Sequence, residues 1–303
     1  MASAKPTGRS ALFAGLCTLD VIYSVSHVPA ANEKMTALRQ AVAAGGPAAN
    51  AAVTFAHLGG HATLVTGVGS HPLTGGIRAD LKQSGVILVD AAEADAAPPP
   101  VSSIMVTRGS GDRSVVSLNA VGRALGPPAR LDALVNGSQA VLIDGHHPEL
   151  ALAAARAARA SGRLCVLDGG SWKDRTPDLL PYVDIAVCSA NFSPPGVQPD
   201  GTLDYLLSQG VSWAAITSGA QPVAWAGGGK RSEVPVAAVK AVDTLGAGDV
   251  FHGAFIYAAL ALPGIDPEGF AAALRFGTRV AGLSCQSFGT RAWMTGGPVS
   301  ALA

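Results

Sequence analysis

The chain has 303 residues, and its 21 lysines and arginines are matched by 21 aspartates and glutamates, which argues against a nucleic-acid binder carrying a concentrated basic excess. Apolar residues reach 49% and charged ones only 14%, enough apolar surface to offset chain entropy, so disorder is excluded over most of the length. No apolar run approaches the ~18 residues of a membrane span, and a cytoplasmic protein that stays off membranes is expected.

In chain order, apolar strand-like runs alternate with helical patterns, the signature of a mostly parallel sheet covered by helices. Lys5 and Arg9 precede the apolar stretch 11–19, a faint leader-like pattern that reads equally well as a buried strand over 12–16. Residues 47–58 read as a helix with Pro47 in its first turn and Gly59-Gly60 closing it. A strand over 62–68 follows, then a helix over 73–83 with Leu73, Ile77 and Leu81 four apart. Further on come a strand at 141–143, a helix at 149–160, and strands at 164–167, 184–188 and 213–217. Two stretches break this rhythm: 21–40, of mixed polarity, and 102–118, which reads as a hairpin turning at 108–113. With the Ala/Pro-rich connection 91–100 they point to an accessory sheet, and 193–201 reads as a surface loop. Cys17, Cys165, Cys188 and Cys285 lie far apart in apolar stretches and read as buried packing thiols.

The most informative segment is Asp243-Thr244-Leu245-Gly246-Ala247-Gly248-Asp249-Val250-Phe251. Residues 234–242 before it read as a strand region. After it, Phe251, Phe255, Ala259 and Leu262 repeat at helical spacing until Pro263-Gly264. Gly246-Ala247-Gly248 therefore open an apolar helix, whose unpaired N–H groups and dipole make an anion site. Asp249 has two readings there: an acid complementing the helix dipole, or a general base for a hydroxyl attacking a nearby phosphoryl group. Competing phosphate motifs fail. Gly227-Gly228-Gly229-Lys230 has Ala224 for the first glycine of a P-loop and Arg231 for its hydroxyl, and 67–72 misses the third glycine of a dinucleotide fingerprint. The pairs His57/His61 and His146/His147 read as solvated or hydrogen-bonded imidazoles rather than metal ligands.

The segment 243–251 resembles the C-terminal signature of the ribokinase-like (phosphofructokinase-B) carbohydrate kinases. Gly45-Gly46-Pro47-Ala48-Ala49-Asn50 resembles that family's Gly-Gly-x-x-x-Asn motif, and 58–62, 67–69 and 85–86 follow in its order. The resemblance runs from Leu12 to about Ala292. It implies one α/β domain over 1–303: a Rossmann-type α/β/α core with a small β-sheet lid, its strands near 19–44 and 101–120. It implies transfer of the ATP γ-phosphate to a primary hydroxyl of a sugar, with Mg²⁺. Gly246, Ala247 and Gly248 would form the anion hole, and Asp249 would be the base. Asp20, Asn50, Gly45 and Gly46 match positions that hold acceptor hydroxyls, and Thr217-Ser218-Gly219 matches a nucleotide-contacting turn. Ser189 and Phe192 stand where many members carry Asn-x-x-Glu to organise Mg²⁺, so Ser189 stays a nucleotide-side candidate while metal placement is open. Asp243, Ser284 and Gly289 match the region that binds K⁺ in activated relatives.

Locally, 274–285 resembles ketohexokinase, and 248–254 with 166–169 look like 6-deoxy-6-sulfofructose kinase. That implies a ketose or ketose derivative as acceptor, with Lys34, in a lid strand, near an anionic substituent. The alternatives are a nucleoside (adenosine-like) or ribose kinase of the same fold, and a sensor without turnover, against which the intact Gly-Ala-Gly-Asp counts. A homodimer through the exposed lid strands is expected.

Overall fold

The alternation of strand and helix resolves into two sheets, described over residues 8–296 in a computed structural model. The first half of the chain contributes β1 (Ser10–Ala14), β2 (Thr18–Val25), β3 (Arg39–Gly45), α1 (Pro47–His57), β4 (His61–Thr66), α2 (Thr74–Gln83), β5 (Ile87–Asp90), β6 (Val101–Thr107), β7 (Arg113–Ser117), α3 (Leu131–Asn136) and β8 (Ala140–Ile143). The second half adds α4 (Pro148–Ala160), β9 (Leu164–Gly169), α5 (Thr176–Leu179), β10 (Ile185–Ser189), α6 (Thr202–Ser208), β11 (Trp213–Ser218), β12 (Gln221–Gly227), β13 (Lys230–Val234), α7 (Ala247–Ala259) and α8 (Pro267–Ser284).

The large sheet has the order β13-β12-β11-β10-β9-β8-β1-β4-β5. It is parallel from β11 to β5, and β12 and β13 add an antiparallel edge. Strands β1 and β8 are buried along their whole length, as continuous apolar runs covered on both faces must be. One core cluster joins the sheet to α1, α7 and α8, and a second joins its other face to α4 and α6. The chain runs outward through β1, β4 and β5 and then returns to place β8 beside β1. That reversal opens a crevice beyond the C-terminal ends of the parallel strands, where sheets of this kind bind ligands.

The small sheet has the order β3-β2-β6-β7. Its strands alternate: Ile22, Ile104 and Val106 pack with Phe288 on one face, whereas Val42 and Val116 lie exposed on the other, and Val115, the register partner of Ile104, lines the cleft described below. Residues 21–40 are thus two half-buried strand pieces around a connection over 26–38, not one irregular run.

Four expectations need correction. Residues 234–242 are not a strand region: β13 stops at Val234 because Pro235 has no N–H for the ladder, and the chain runs irregularly to Val242. Helix α7 ends at Ala259, three residues before Leu262. Of the four free cysteines, Cys285 is only half-buried. Finally, one nitrogen of each of two imidazoles is neither solvated nor hydrogen-bonded: His57 Nε2 and His147 Nδ1 are buried without partners, and burial pushes both imidazoles below their ordinary range. Gly228 and Gly229, with φ of 56° and 74°, form the β12–β13 hairpin turn, which explains the tempting glycine run. Among the described residues no helix is long and apolar enough to cross a membrane.

Candidate active site

A cleft of about 330 Å³ lies between the C-terminal ends of the parallel strands and the small sheet. Asn50, Asp144, Asp168 and Asp249 face it from the core, and Asp20, Ser102, Ile104 and Asn119 from the sheet side.

Helix α7 delivers Asp249. Its N-cap, Gly246, is left-handed at φ 70°, a conformation that costs a glycine little and lets the chain turn sharply into the helix. No side chain caps this end; the Ala247 amide donates to the Thr244 carbonyl at a long 3.4 Å, and those of Gly248 and Asp249 stay available to an anion. Helix α1 delivers Asn50 from its first turn, behind Gly46 and Pro47. The two meet: Asn50 Nδ2 donates to Asp249 Oδ2 at 2.8 Å. Asp249 is half-buried at the floor of the cleft. Desolvation, then the charge of Asp168, push its carboxyl up to about 7, with the Asn50 hydrogen bond and His252 pulling the other way. A carboxylate in that range can take a proton at neutral pH.

Asp20 is buried opposite, held by the Thr18 hydroxyl at 2.6 Å, and its carboxyl is raised above the usual range by burial. A side chain at Gly45 would fall on that carboxylate, so the glycine keeps β3 against β2 there. Gly46 lines the cleft and Gly45 lies just behind it.

Several contributors were not anticipated from the sequence. Asp144, just past β8, accepts from the amides of Leu16 (2.8 Å), Ala48 (3.3 Å) and His146 (2.9 Å), stitching three loops of the crevice together. His252 sits one turn into α7, with Nδ1 2.8 Å from the Gly248 carbonyl and Nε2 3.1 Å from that of Val187. Asp168 Oδ2 lies 3.4 Å from Nδ1, so β9 and β10 both grip the first turn of α7. Arg291 donates to Asn50 Oδ1 at 3.0 Å. Asp144 and Asp168 had a usable signal, since each is a carboxylate at the C-terminal end of a buried strand. Arg291 lies in a loop with no periodicity to mark it.

Of the nucleotide-side candidates, Ser189 and Thr217 are register partners at the ends of β10 and β11, beside the strand of Asp168, and Gly219 is exposed in the turn that follows. These three do not line the cleft itself. Lys34 is not in a strand: it is exposed in the 26–38 connection, and it does not line the cleft.

The residues present do not fit a metal held by the protein. Phe192 is buried, and the Ser189 hydroxyl is occupied by the Gly170 carbonyl (2.8 Å) and the Asn191 amide (3.1 Å). Among the described residues no group of three or more His, Cys, Asp or Glu side chains is placed to hold a metal ion. Asp243, matched to a K⁺ region, uses its two oxygens on the Leu245 (2.9 Å) and Gly289 (2.8 Å) amides, and Ser284 Oγ turns to the Ala281 carbonyl (2.8 Å). Asp243 thus orders the loop leading into Gly246 and joins it to the segment after α8.

Comparison with known proteins agrees with this geometry. The family described as pfkB family carbohydrate kinase matches residues 9–295. The ribokinase of Bacillus subtilis (strain 168) is 29% identical over 297 residues, 94% of this chain and 96% of that protein. The structure of Arabidopsis thaliana ribokinase complexed with ribose and ATP aligns with a TM-score of 0.74 at 22% identity, over 93% of this chain and 94% of that one. Adenosine kinase from Sinorhizobium meliloti aligns at 0.78 and 22%, over 96% and 98%. At those identities the two structures speak for the ribokinase-like α/β fold alone. The sequence likeness runs to ribokinases and lends nothing to a ketohexokinase or sulfofructose kinase branch.

Proposed function

Because the chain belongs to the pfkB family of carbohydrate kinases, we propose that this cleft moves the ATP γ-phosphate onto a primary hydroxyl of a ribose-sized sugar, with Asp249 as the base. The observation that carries this reading is the half-buried, Asn50-held carboxylate of Asp249 beside the uncapped N-terminus of α7. In such a transfer the loose transition state spreads charge over the moving phosphoryl group, and positioning plus electrostatics supply most of the catalysis. The Gly246–Gly248 amides would meet that charge, and Asp249 would take the proton of the attacking hydroxyl. Mg²⁺ would enter with ATP as part of the substrate, since it is commonly held through phosphates and water. Asp20 and Asn50 are the groups for ring hydroxyls, because carboxylate and amide together accept and donate.

A sugar is favoured over a nucleoside because, among the described residues, no Phe, Tyr or Trp lines the cleft, leaving a base only the His146 imidazole to stack on. The ketose acceptor implied by 274–285 and 248–254 is the second reading. ADP release measured over ribose, other pentoses, fructose, a sulfonated ketose and adenosine separates them. Ribose or another pentose is expected to give the highest kcat/KM; adenosine above every sugar would overturn the acceptor class. In the same assay Asp249→Asn is expected to lower kcat by on the order of 10²–10⁴ with ATP affinity within a few-fold. Near-wild-type turnover would remove Asp249 from the chemistry. Two copies pairing through the free edges β3 and β7 would cover the exposed Val42 and Val116, the assembly this surface favours.

A further inference from the structure

We propose that Arg291 is a positioning residue for the base: it fixes which end of the Asn50 amide meets Asp249, and it anchors that amide to the root of the small sheet. This rests on Asp249 being the base, and the Asp249→Asn kinetics above test that premise separately.

A guanidinium only donates hydrogen bonds, whereas a primary amide has one accepting end and one donating end. Arg291 Nη1 donates to Asn50 Oδ1 at 3.0 Å, which turns Nδ2 toward Asp249 Oδ2 at 2.8 Å. With the amide reversed, its carbonyl would face a carboxylate and its NH₂ a cation, two repulsive contacts in place of two attractive ones. Arg291 thus sets a single orientation in which one oxygen of Asp249 is occupied and the other is left for the acceptor proton.

Arg291 is itself held by two partners. Asp80 Oδ2 accepts from Nη2 (2.9 Å) and Nε (3.3 Å), and the Ala44 carbonyl accepts from Nη2 at 2.7 Å. The same Asp80 oxygen accepts the Ala44 amide at 3.1 Å. Ala44 is the β3 residue paired with Leu19 in the small sheet, two positions before the Gly46 cap of α1. Arg291 and Asp80 therefore bracket the peptide through which the small sheet enters the core. From that bracket a run of hydrogen bonds leads through Asn50 to the base.

The test is a double-mutant cycle on the full-length enzyme with its best acceptor: Arg291→Ala, Arg291→Lys, Asn50→Ala and the Asn50→Ala/Arg291→Ala pair, with kcat, KM and the pH profile of kcat/KM. Arg291→Ala is expected to lower kcat by about 10- to 100-fold with KM for ATP within about threefold, and to cost less than about threefold once Asn50 is alanine. Its acidic limb should move to higher pH, because a loosened Asn50 no longer steadies the carboxylate of Asp249. Arg291→Lys, which can keep Asp80 company but lacks the fork, should show the same shift at smaller size. Losses from Arg291→Ala and Asn50→Ala that multiply, or an acidic limb unmoved in the arginine variants, would reduce Arg291 to a structural tie and overturn the proposal. If Arg291→Ala does not fold, Arg291→Lys takes its place in both the pH profile and the cycle. A shifted limb and a loss that shrinks once Asn50 is alanine then support the proposal, and an unmoved limb or multiplying losses overturn it.

Discussion

At the residue scale the site is a negotiation over one proton. Asp249 is desolvated and faces the charge of Asp168, so its carboxyl lies at about 7 against an ordinary 3.8. Below the unfolded value both states are protonated and nothing is at stake. As pH rises from about 4 to about 7 the unfolded chain gives up this proton while the folded one keeps it, so the contribution of Asp249 to stability falls across that window and then levels. Asp249→Asn cannot titrate but can still accept from Asn50. Without ligand, the variant is expected to melt a few degrees above wild type at pH 8, with the gap closing as pH falls toward 4. Thermal melts of both proteins across pH 4–8 measure it, and parallel curves would show that Asp249 titrates as an ordinary carboxylate. Catalysis runs the other way, since kcat/KM should rise with pH through about 7 as the base loses its proton. Asp249 and Asn50 were legible because short motifs of small residues announce them. Asp168 carried only the weaker signal of its strand end, and His252 and Arg291 were not legible, because each matters only through a partner brought near by folding.

At the element scale the site depends on how closely α1 and α7 approach. Ala48, Ala49, Ala51 and Ala52 are all buried on α1, and a side chain at Gly253 of α7 would run into the Ala51 carbonyl. Small residues on both helices set the separation at which Asn50 reaches Asp249. Gly253→Val should force the helices apart, costing roughly 1–3 kcal/mol in urea unfolding, as overpacked cores do. Measured where the variant is still folded, kcat should also drop by about tenfold or more, because the Asn50 hydrogen bond is stretched. Wild-type kcat in the folded variant would show that this spacing does not govern the site. Helix α1 could be read from the sequence because Pro47 and Gly59-Gly60 punctuate it. Strand β3 could not, because Arg39, Gln40 and Val42 are exposed or half-exposed and its apolar face is short. The run after Val234 misled for the opposite reason: it is apolar in composition, yet Val236 alone packs on the core while Val239 and Val242 are exposed, and the run pairs in no sheet.

At the scale of the whole molecule the small sheet is joined to the core through the loop that opens α7. The β6–β7 hairpin reaches the loop before α7, where Arg113 Nη1 donates to Thr244 Oγ1 at 2.9 Å and Thr244 Oγ1 to the Gly111 carbonyl at 3.3 Å. Leu245 packs into the small sheet's apolar cluster with Phe288, so one side of that loop faces the sheet and the other opens α7. The accessory sheet was legible from the two stretches that break the rhythm of the core, but its strand order was not. Hydrophobic periodicity marks the parallel core but says nothing of a four-stranded sheet assembled from two distant pieces of chain. With the sheet resting on the loop that opens α7, acceptor bound between Asp20 and Asn50, as proposed, would bridge both sheets and draw them together, excluding water from the phosphoryl group. Hydrogen exchange with saturating acceptor should therefore slow at 18–25, 101–107 and 113–117, and also at 243–246, while the buried strands β1 and β8 stay unchanged. The loop is the informative part: protection there without nucleotide would mean that the acceptor is felt through the Arg113–Thr244 contact, and Arg113→Ala should abolish it. Unchanged exchange in both the sheet and the loop would mean that the sheet is a fixed wall, and water exclusion would then have to come from the nucleotide alone.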